Sequence, residues 1–437
     1  MELVRIDDHR WRVPREGSMR VDGLIFADDR LMADIRGDEA VQQVANVATL
    51  PGIVGNSIGM PDIHWGYGFA IGGVAAFDPD EGGVVSPGGV GYDINCGVRL
   101  LRSNLHADDL RPRLSRLMDR LYERIPAGVG RGYDRFVLEP GAIRDVLERG
   151  AAWAVDEGMG TPDDLERIED GGTVAGAEPG RVGERAVQRG RDQVGTVGSG
   201  NHFIEIGHVD VVYDADAAAR LGLTEGTVTA FVHSGSRGLG YQVCDDFLDV
   251  MLQASATYGI DLPDRQLCCA PVRSPEGEAY LGAMRAAANF AFANRQVMAH
   301  RIREAFAAVF ETGWDELELD LVYDVAHNIA KKEVHAVEGE ERELFVHRKG
   351  ATRAFPAGRE EVPEAYRDVG QPVIIPGSMG SGSYVLRGGE ASLGLTFGST
   401  AHGAGRLMSR TEAKKTYWGG DVQTDLREQQ QVYVKAA

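Results

Sequence analysis

The sequence predicts an α+β fold, a single large mixed domain in which short strands, glycine-rich turns and separate helices alternate. Three observations carry this. Glycine-rich segments recur at 52–100, 195–207, 233–240, 376–382 and 394–405, and 57 glycines exceed ordinary usage, so backbone can approach ligands at several points. Helical stretches at 109–125 and 279–311 stand apart from these loops; the second is alanine-rich, with apolar residues at spacings of three and four. Strand-like runs include VTAFVH (228–233), LDLVYDVAH (319–327) and PVIIPG (372–377). The helices are expected to be peripheral scaffold, and the strand ends to feed polar clusters into glycine turns. Residues 156–193, polar and rich in glycine and charge, are expected to form an exposed excursion. There is no internal repeat and no linker.

Composition sets the class. With 437 residues, 43% hydrophobic and 26% charged, the chain can bury a sizeable core and leaves little room for disorder. Its longest apolar runs, such as that around Val74, are too short to span a bilayer, and the N-terminus has no apolar stretch flanked by a cleavage site, so a cytoplasmic protein without membrane contact is expected. Lysine plus arginine number 46 against 66 acidic residues, a net charge of −20 that would repel nucleic acid in ordinary buffer. The acidic residues are dispersed in patches such as 78–83 and 315–320, which suits a halophilic source: charges are screened within about 3 Å at 1 M salt. The four cysteines, Cys96, Cys244, Cys268 and Cys269, form no CxxC pair and no disulfide framework; the last three read as small buried residues.

Six clusters carry the chemistry. Asp93 and Cys96 share a loop between Gly91 and Gly97 in which both side chains can converge on one ion, and a thiolate can bridge two; the same residues also fit a surface aspartate beside a buried cysteine. Asn201, His202 and Glu205 follow a Gly-Ser-Gly turn. His233 ends a strand ahead of Arg237, and His327 with Asn328 ends another. Each histidine alone is more often a core or turn residue than a ligand. Set together beside Asn or Ser in glycine-rich loops, these imidazoles, a thiolate and a carboxylate suit Mn, Fe, Co or Zn. His64, two residues after Asp62, is held open as a functional residue, and the remaining histidines read as structural. PGSMGSGSYVL (376–386) supplies backbone NH groups and the hydroxyls of Ser378, Ser381 and Ser383 for a phosphate or nucleotide, or is a plain turn; it lacks a Walker ending. His402 stands on a glycine-flanked turn ahead of Arg406 and Arg410, where an imidazole can attack phosphorus beside guanidiniums that stabilise developing charge. Spacing alone supports a two-metal phosphoryl-transfer site.

From Gly59 to Arg410 the strings GMPDIHWGYGFAIGGVAAFD, GGVGYDINCGVR, GSGNHFIEIG, HSGSRGLG, AHNIAKKE, PGSMGSGSY and HGAGR resemble the RtcB-type RNA ligases. The resemblance implies a single RtcB-like domain with short sheets and a deep metal-containing cleft. It implies ligation of RNA 3′-phosphate or 2′,3′-cyclic phosphate ends to 5′-hydroxyl ends in tRNA splicing and RNA repair, with GTP as co-substrate and two Mn²⁺ ions. Asp93, Cys96 and His202 would bind one ion, and Cys96, His233 and His327 the other. His402 would carry the guanylate, with Asp62 and Arg237 assisting. Nucleotide contacts would come from Asn201, His202, Phe203, Ile204, Glu205, His327, Asn328, Pro376, Gly377, Ser378, Met379, Ser383, His402, Gly403, Ala404 and Gly405. Glu205 would read guanine, because a carboxylate accepts from the N1 and N2 donors that adenine lacks. RNA, tRNA halves by family default, and an archease-type activator are the implied partners. Family members continue past the stretch resembling QVYVKAA to a terminal lysine that contacts guanine, so the chain is expected to be short at its C-terminus. A two-metal phosphoester hydrolase, or an RNA- or nucleotide-binding protein with impaired ligation, are the competing readings.

Overall fold

A computed structural model describes residues 2–134, 136–378, 380–405, 415, 419–430 and 432–435. Its strands form two main sheets. The seven-stranded sheet orders Val4–Arg5, Arg10–Val13, Asp22–Phe26, Ile53–His64, Ile71–Phe77, Glu340–Lys349 and Asn328–Val337, antiparallel throughout except where Asp22–Phe26 runs parallel to Ile53–His64. The four-stranded sheet orders Asp320–Ala326, Gly97–His106, Thr227–Ser234 and Phe203–His208, all antiparallel.

Alternation along each strand sorts side chains between the faces of the four-stranded sheet. Val228, Ala230 and Val232 join Leu101 on one face and pack against Met298, Ile302 and Phe306 of a long helix and Leu117 and Leu121 of the helix Leu114–Arg124. Phe231 joins Val98, Leu100 and Val325 on the other, under Phe355, Tyr366 and Ile374. Each such apolar side chain contributes about 1.5–3 kcal/mol by leaving water; Ile302→Ala, at 0% exposure, is expected to cost about 2–5 kcal/mol in a urea melt.

The long helix, Pro275–Phe310, departs from a peripheral position. Ser274 caps it by accepting from Gly277 NH, Pro275 opens it, and Glu276 and Glu278 sit in its first turn, where the dipole favours anions. From Gly277 to Val309 nearly every residue is buried. A helix buried on most of its circumference belongs inside the core, whatever polar side chains it carries, provided these find partners there. Its N-terminal half packs on Leu147, Trp153, Leu239 and Val243, and its C-terminal half on the four-stranded sheet.

The stretch 156–193 is only partly exposed. Asp164, Ile168, Glu169, Ala186 and Gly190 are buried, and Asp164 accepts twice from the guanidinium of Arg303, at 2.6 and 2.7 Å. Charged side chains with buried partners look the same in sequence as solvated ones. No helix among the described residues is long and apolar enough to cross a membrane.

Candidate active site

Sheet register assembles the site. Gly97 lies opposite both Ser234 and Ala326, and Phe203 opposite His233. Cys96 and His202 immediately precede strands, while His233 and His327 stand at the ends of the neighbouring antiparallel ones, so residues far apart in the chain meet at one end of the sheet. The connections reinforce this: His327 NH donates to Cys96 O at 2.8 Å, Asn95 NH donates to Asn328 O at 2.7 Å, and the Asn328 amide donates to Asp93 O at 3.1 Å.

Two donor groups result, Asp93 with Cys96 and His202, and Cys96 with His233 and His327; in each the donor atoms lie within 4.8 Å of one another. Cys96 belongs to both. Its Sγ is 3.3 Å from Nε2 of His202 and 3.3 Å from Nε2 of His233, whose Nε2 is 3.3 Å from that of His327. His202 Nε2 is 2.7 Å from Asp93 Oδ2. Gly235 makes room for that carboxylate, since a Cβ there would lie 2.4 Å from Asp93 Oδ1.

The electrostatics favour a bound cation. Burial drives the Cys96 thiol well above its usual pKa, and the Asp93 carboxylate drives it further. Burial, followed by His202 for His233 and by His402 for His327, holds both imidazoles well below 6.5, so they are neutral with lone pairs available. Burial would raise Asp93 as well, but His202 and Arg237 outweigh it and hold the carboxyl at about 2. Among the described residues, the Nδ1 atoms of His233 and His327 are buried without a hydrogen-bond partner. Neutral imidazoles, a thiol and an ionised carboxylate with converging donor atoms fit two divalent ions sharing the sulfur, drawn from the borderline metals.

His402 adjoins this centre, its ring centroid 4.9 Å from that of His327. Asp62 positions it. Oδ2 of that buried carboxylate accepts from the backbone NH groups of His402 and Gly403 at 3.1 and 3.2 Å, and lies 2.7 Å from His402 Nδ1. The last approach is close without hydrogen-bond alignment, so its contribution is charge proximity. On the far side, Arg237 approaches His202 Nδ1 at 3.2 Å. That nitrogen also lies 3.1 Å from Val197 O, and donation to the carbonyl is the better assignment because it leaves Nε2 a lone pair to face the cluster. Gly198, at φ +94°, makes space for the guanidinium; a Cβ there would lie 1.9 Å from Arg237 Cζ.

The nucleotide-side residues are grouped less tightly. Glu205 is half-buried on the same strand face as Phe203; burial raises its pKa, and a Ser383 hydroxyl bond opposes the rise. Phe203 stacks on Phe231 and meets His233 edge-on. Ile204 faces the opposite way, into the core with the long helix, which leaves only its backbone for a ligand. Both ends of the Asn328 amide are committed, to Asp93 O and Gly350 NH. Pro376 O accepts from Ala404 NH, docking the serine loop beside the His402 turn, and within that loop Ser383 accepts from Gly377 NH and Ser381 from Ser378 NH. Gly405 packs against Asp62, and Asn201 is exposed at the rim. His64 lies outside both donor groups, its Nδ1 2.9 Å from Asp62 O. Met379, Arg406 and Arg410 lie outside the described residues.

Lys349 escaped sequence reasoning. Buried behind Gly91, it donates to the carbonyls of Tyr67 and Phe69 at 2.6 and 2.9 Å, and burial brings its pKa down to about 7. A lysine ending a strand in HRKG carries no signal that separates it from a surface one.

The profile of a family described as tRNA-splicing ligase RtcB matches residues 43–437. The chain is 54% identical over 436 residues to a tRNA-splicing ligase RtcB of Thermococcus kodakarensis, spanning 100% of this chain and 90% of that protein. It is 52% identical over 436 residues to the protein of that name from Archaeoglobus fulgidus, covering 99% and 90%. To the RNA-splicing ligase RtcB of Mycobacterium tuberculosis it is 53% identical over 385 residues, 88% of each chain.

Proposed function

The chain belongs to the RtcB family of tRNA-splicing ligases, and on that premise we propose that it joins RNA 3′-phosphate or 2′,3′-cyclic phosphate ends to 5′-hydroxyl ends with GTP and two Mn²⁺ ions. The observation that carries this reading is a buried carboxylate, Asp62, that holds the backbone turn of His402 and lies close to its ring, beside a cluster of metal-type donors. The competing hydrolase reading predicts no nucleotide held covalently on that imidazole.

Asp93, Cys96 and His202 would hold one ion, and Cys96, His233 and His327 the second. When bound, the ions neutralise phosphate charge and act as Lewis acids. His402 attacks the α-phosphorus of GTP through the nitrogen not facing Asp62; an N–P bond forms and the bond to pyrophosphate breaks. Asp62 offsets the positive charge that develops on the ring. Arg237 holds a phosphate. The guanylate then passes to an RNA 3′-phosphate, freeing His402, and the 5′-hydroxyl attacks that phosphorus, releasing GMP and closing the phosphodiester. A cyclic phosphate end is first hydrolysed at the same site. Glu205 reads guanine, and Asn201, Phe203, Asn328, the backbone at Ile204, Pro376–Ser378, Ser383 and Gly403–Gly405 frame the nucleotide.

The RNA is expected to include tRNA halves, with an archease-type protein as activator and the cytoplasm as the compartment. The dispersed negative charge is read as halophilic, so joining should persist in molar KCl. Incubation with α-labelled GTP and Mn²⁺ tests the mechanism: acid-labile label should remain on denatured protein and vanish in His402→Ala. Label surviving that substitution would sink it.

A further inference from the structure

The long helix carries three consecutive polar residues, Asn294, Arg295 and Gln296, all at 0% exposure. Burying such groups is costly unless every polar atom finds a partner, and their partners are informative. Arg295 directs Nη1 to two backbone oxygens, Asn95 O at 2.8 Å and Ser234 O at 3.0 Å, and Nη2 to Asn95 Oδ1 at 3.1 Å. Its remaining donors bind Asp324 at 2.8–3.1 Å. Asn95 precedes Cys96, Ser234 follows His233, and Asp324 lies three residues before His327 at the end of one strand. One guanidinium therefore ties together the three segments that carry Cys96, His233 and His327.

Asn294 does the same for another pair of loops. Its Oδ1 accepts from Gly195 NH and Thr196 NH at 2.7 and 3.0 Å, in the turn leading to His202. Its Nδ2 donates to Ser234 Oγ and Gly235 O, each at 3.1 Å, in the turn after His233. Thr196 O receives the same amide at 3.3 Å.

We propose that Asn294 and Arg295 are positioning residues for the metal centre, Arg295 setting the spacing of Cys96, His233 and His327, and Asn294 joining the His202 loop to the His233 loop. Neither touches an ion or substrate; both act through the backbone beside the ligands. The inference rests on the two-ion reading above. It accounts for an arginine where a lysine would keep the charge opposite Asp324, since the fixed fork of a guanidinium reaches both Asp324 oxygens, Asn95 O, Asn95 Oδ1 and Ser234 O together, more acceptors than the three donors of an ammonium can meet.

The test is metal binding, read without turnover. Purified full-length protein, stripped of metal, is titrated with Co²⁺, following thiolate-to-cobalt absorption and bound stoichiometry, with metal-free thermal melting as the measure of fold. Wild type should bind two equivalents. Arg295→Lys keeps the charge opposite Asp324, so its metal-free melt should stay cooperative, but its weaker ion should bind at least about tenfold less tightly, the usual consequence of losing an outer-shell partner. Asn294→Ala should weaken one equivalent similarly, with Asn294→Gln failing to restore it because its amide is displaced by a methylene. Two equivalents at wild-type affinity in Arg295→Lys would overturn the assignment. Should Arg295→Lys fail to melt cooperatively, Asn294→Ala decides by the same criterion. Wild type binding no cobalt would instead defeat the two-ion reading, a result separate from variants that match a two-ion wild type.

Discussion

Two buried polar clusters meet at the end of the strand Asp320–Ala326, and they are built on opposite principles. Ala326 NH donates to Glu169, part of a network in which Glu169, Asp170 and Glu333 face Lys331, Arg348 and Arg353, three carboxylates against three cations. Arg348 grips Glu333 with both nitrogens, at 2.6 and 2.8 Å. One residue later, His327 belongs to a cluster of imidazoles, a thiol and a carboxylate whose donor atoms crowd together. The first is closed, its charges cancelled internally. The second is open: its Nε2, Sγ and carboxylate donors converge on one another with no cationic group set between them among the described residues, an arrangement that a cation from outside would complete. Completeness of pairing separates the two polar clusters more sharply than burial does, because each is mostly buried with a partly exposed carboxylate at its edge.

Substitutions should split the two clusters. Cys96→Ala is expected to lose both ions and lower joining on the order of 10³-fold or more, while leaving the metal-free melting temperature nearly unchanged; retention of one ion, by metal analysis, would contradict the shared sulfur. Glu333→Gln should behave in the converse way. It strands Arg348 and should cost about 3–5 kcal/mol of unfolding free energy, yet the folded protein should still bind two ions.

Glu205→Gln should raise the KM for GTP by an amount equivalent to about 1–3 kcal/mol, the cost of an unmade hydrogen bond at a half-buried group, and narrow the preference over ATP. Equal KM values in the variant and wild type would remove Glu205 as the guanine reader.

The smallest effect is in pH. Burial would raise the Glu333 carboxyl, but Arg348 more than reverses this, and a depressed carboxylate stabilises the fold above its unfolded pKa and loses that contribution as pH falls through the folded one. The closed cluster should thus be indifferent to pH near neutrality and weaken only in acid, starting near the ordinary 4.5. At the open cluster the raised Cys96 thiol must lose its proton when metal binds, whereas His233 and His327 are already neutral. Metal affinity should rise about tenfold per pH unit through neutrality; a flat titration would mean that the thiolate pre-exists.

Much of this was legible in residue order. The runs 228–233 and 319–327 became the strands Thr227–Ser234 and Asp320–Ala326, and the stretch 279–311 the helix Pro275–Phe310, because periodicity and propensity act locally. Gly-flanked histidines marked the ends of those strands. Less legible was the direction of side chains whose partners are remote. Ile204 reads as a ligand contact beside Glu205 yet points into the core, and Asp164 and Glu169 read as solvated charge yet are buried in ion pairs.

Sequence alone determined which residues have side chains suited to metal and phosphoryl chemistry, the strands that carry them and the family the chain belongs to. Tertiary structure alone decided that Gly97 lies between Ser234 and Ala326, and that a central helix fastens the loops around them. The reason is physical. Periodicity is set by neighbours three or four residues away, whereas the 3.3 Å separations between Cys96, His202 and His233 depend on strand register and buried hydrogen bonds between residues more than a hundred positions apart.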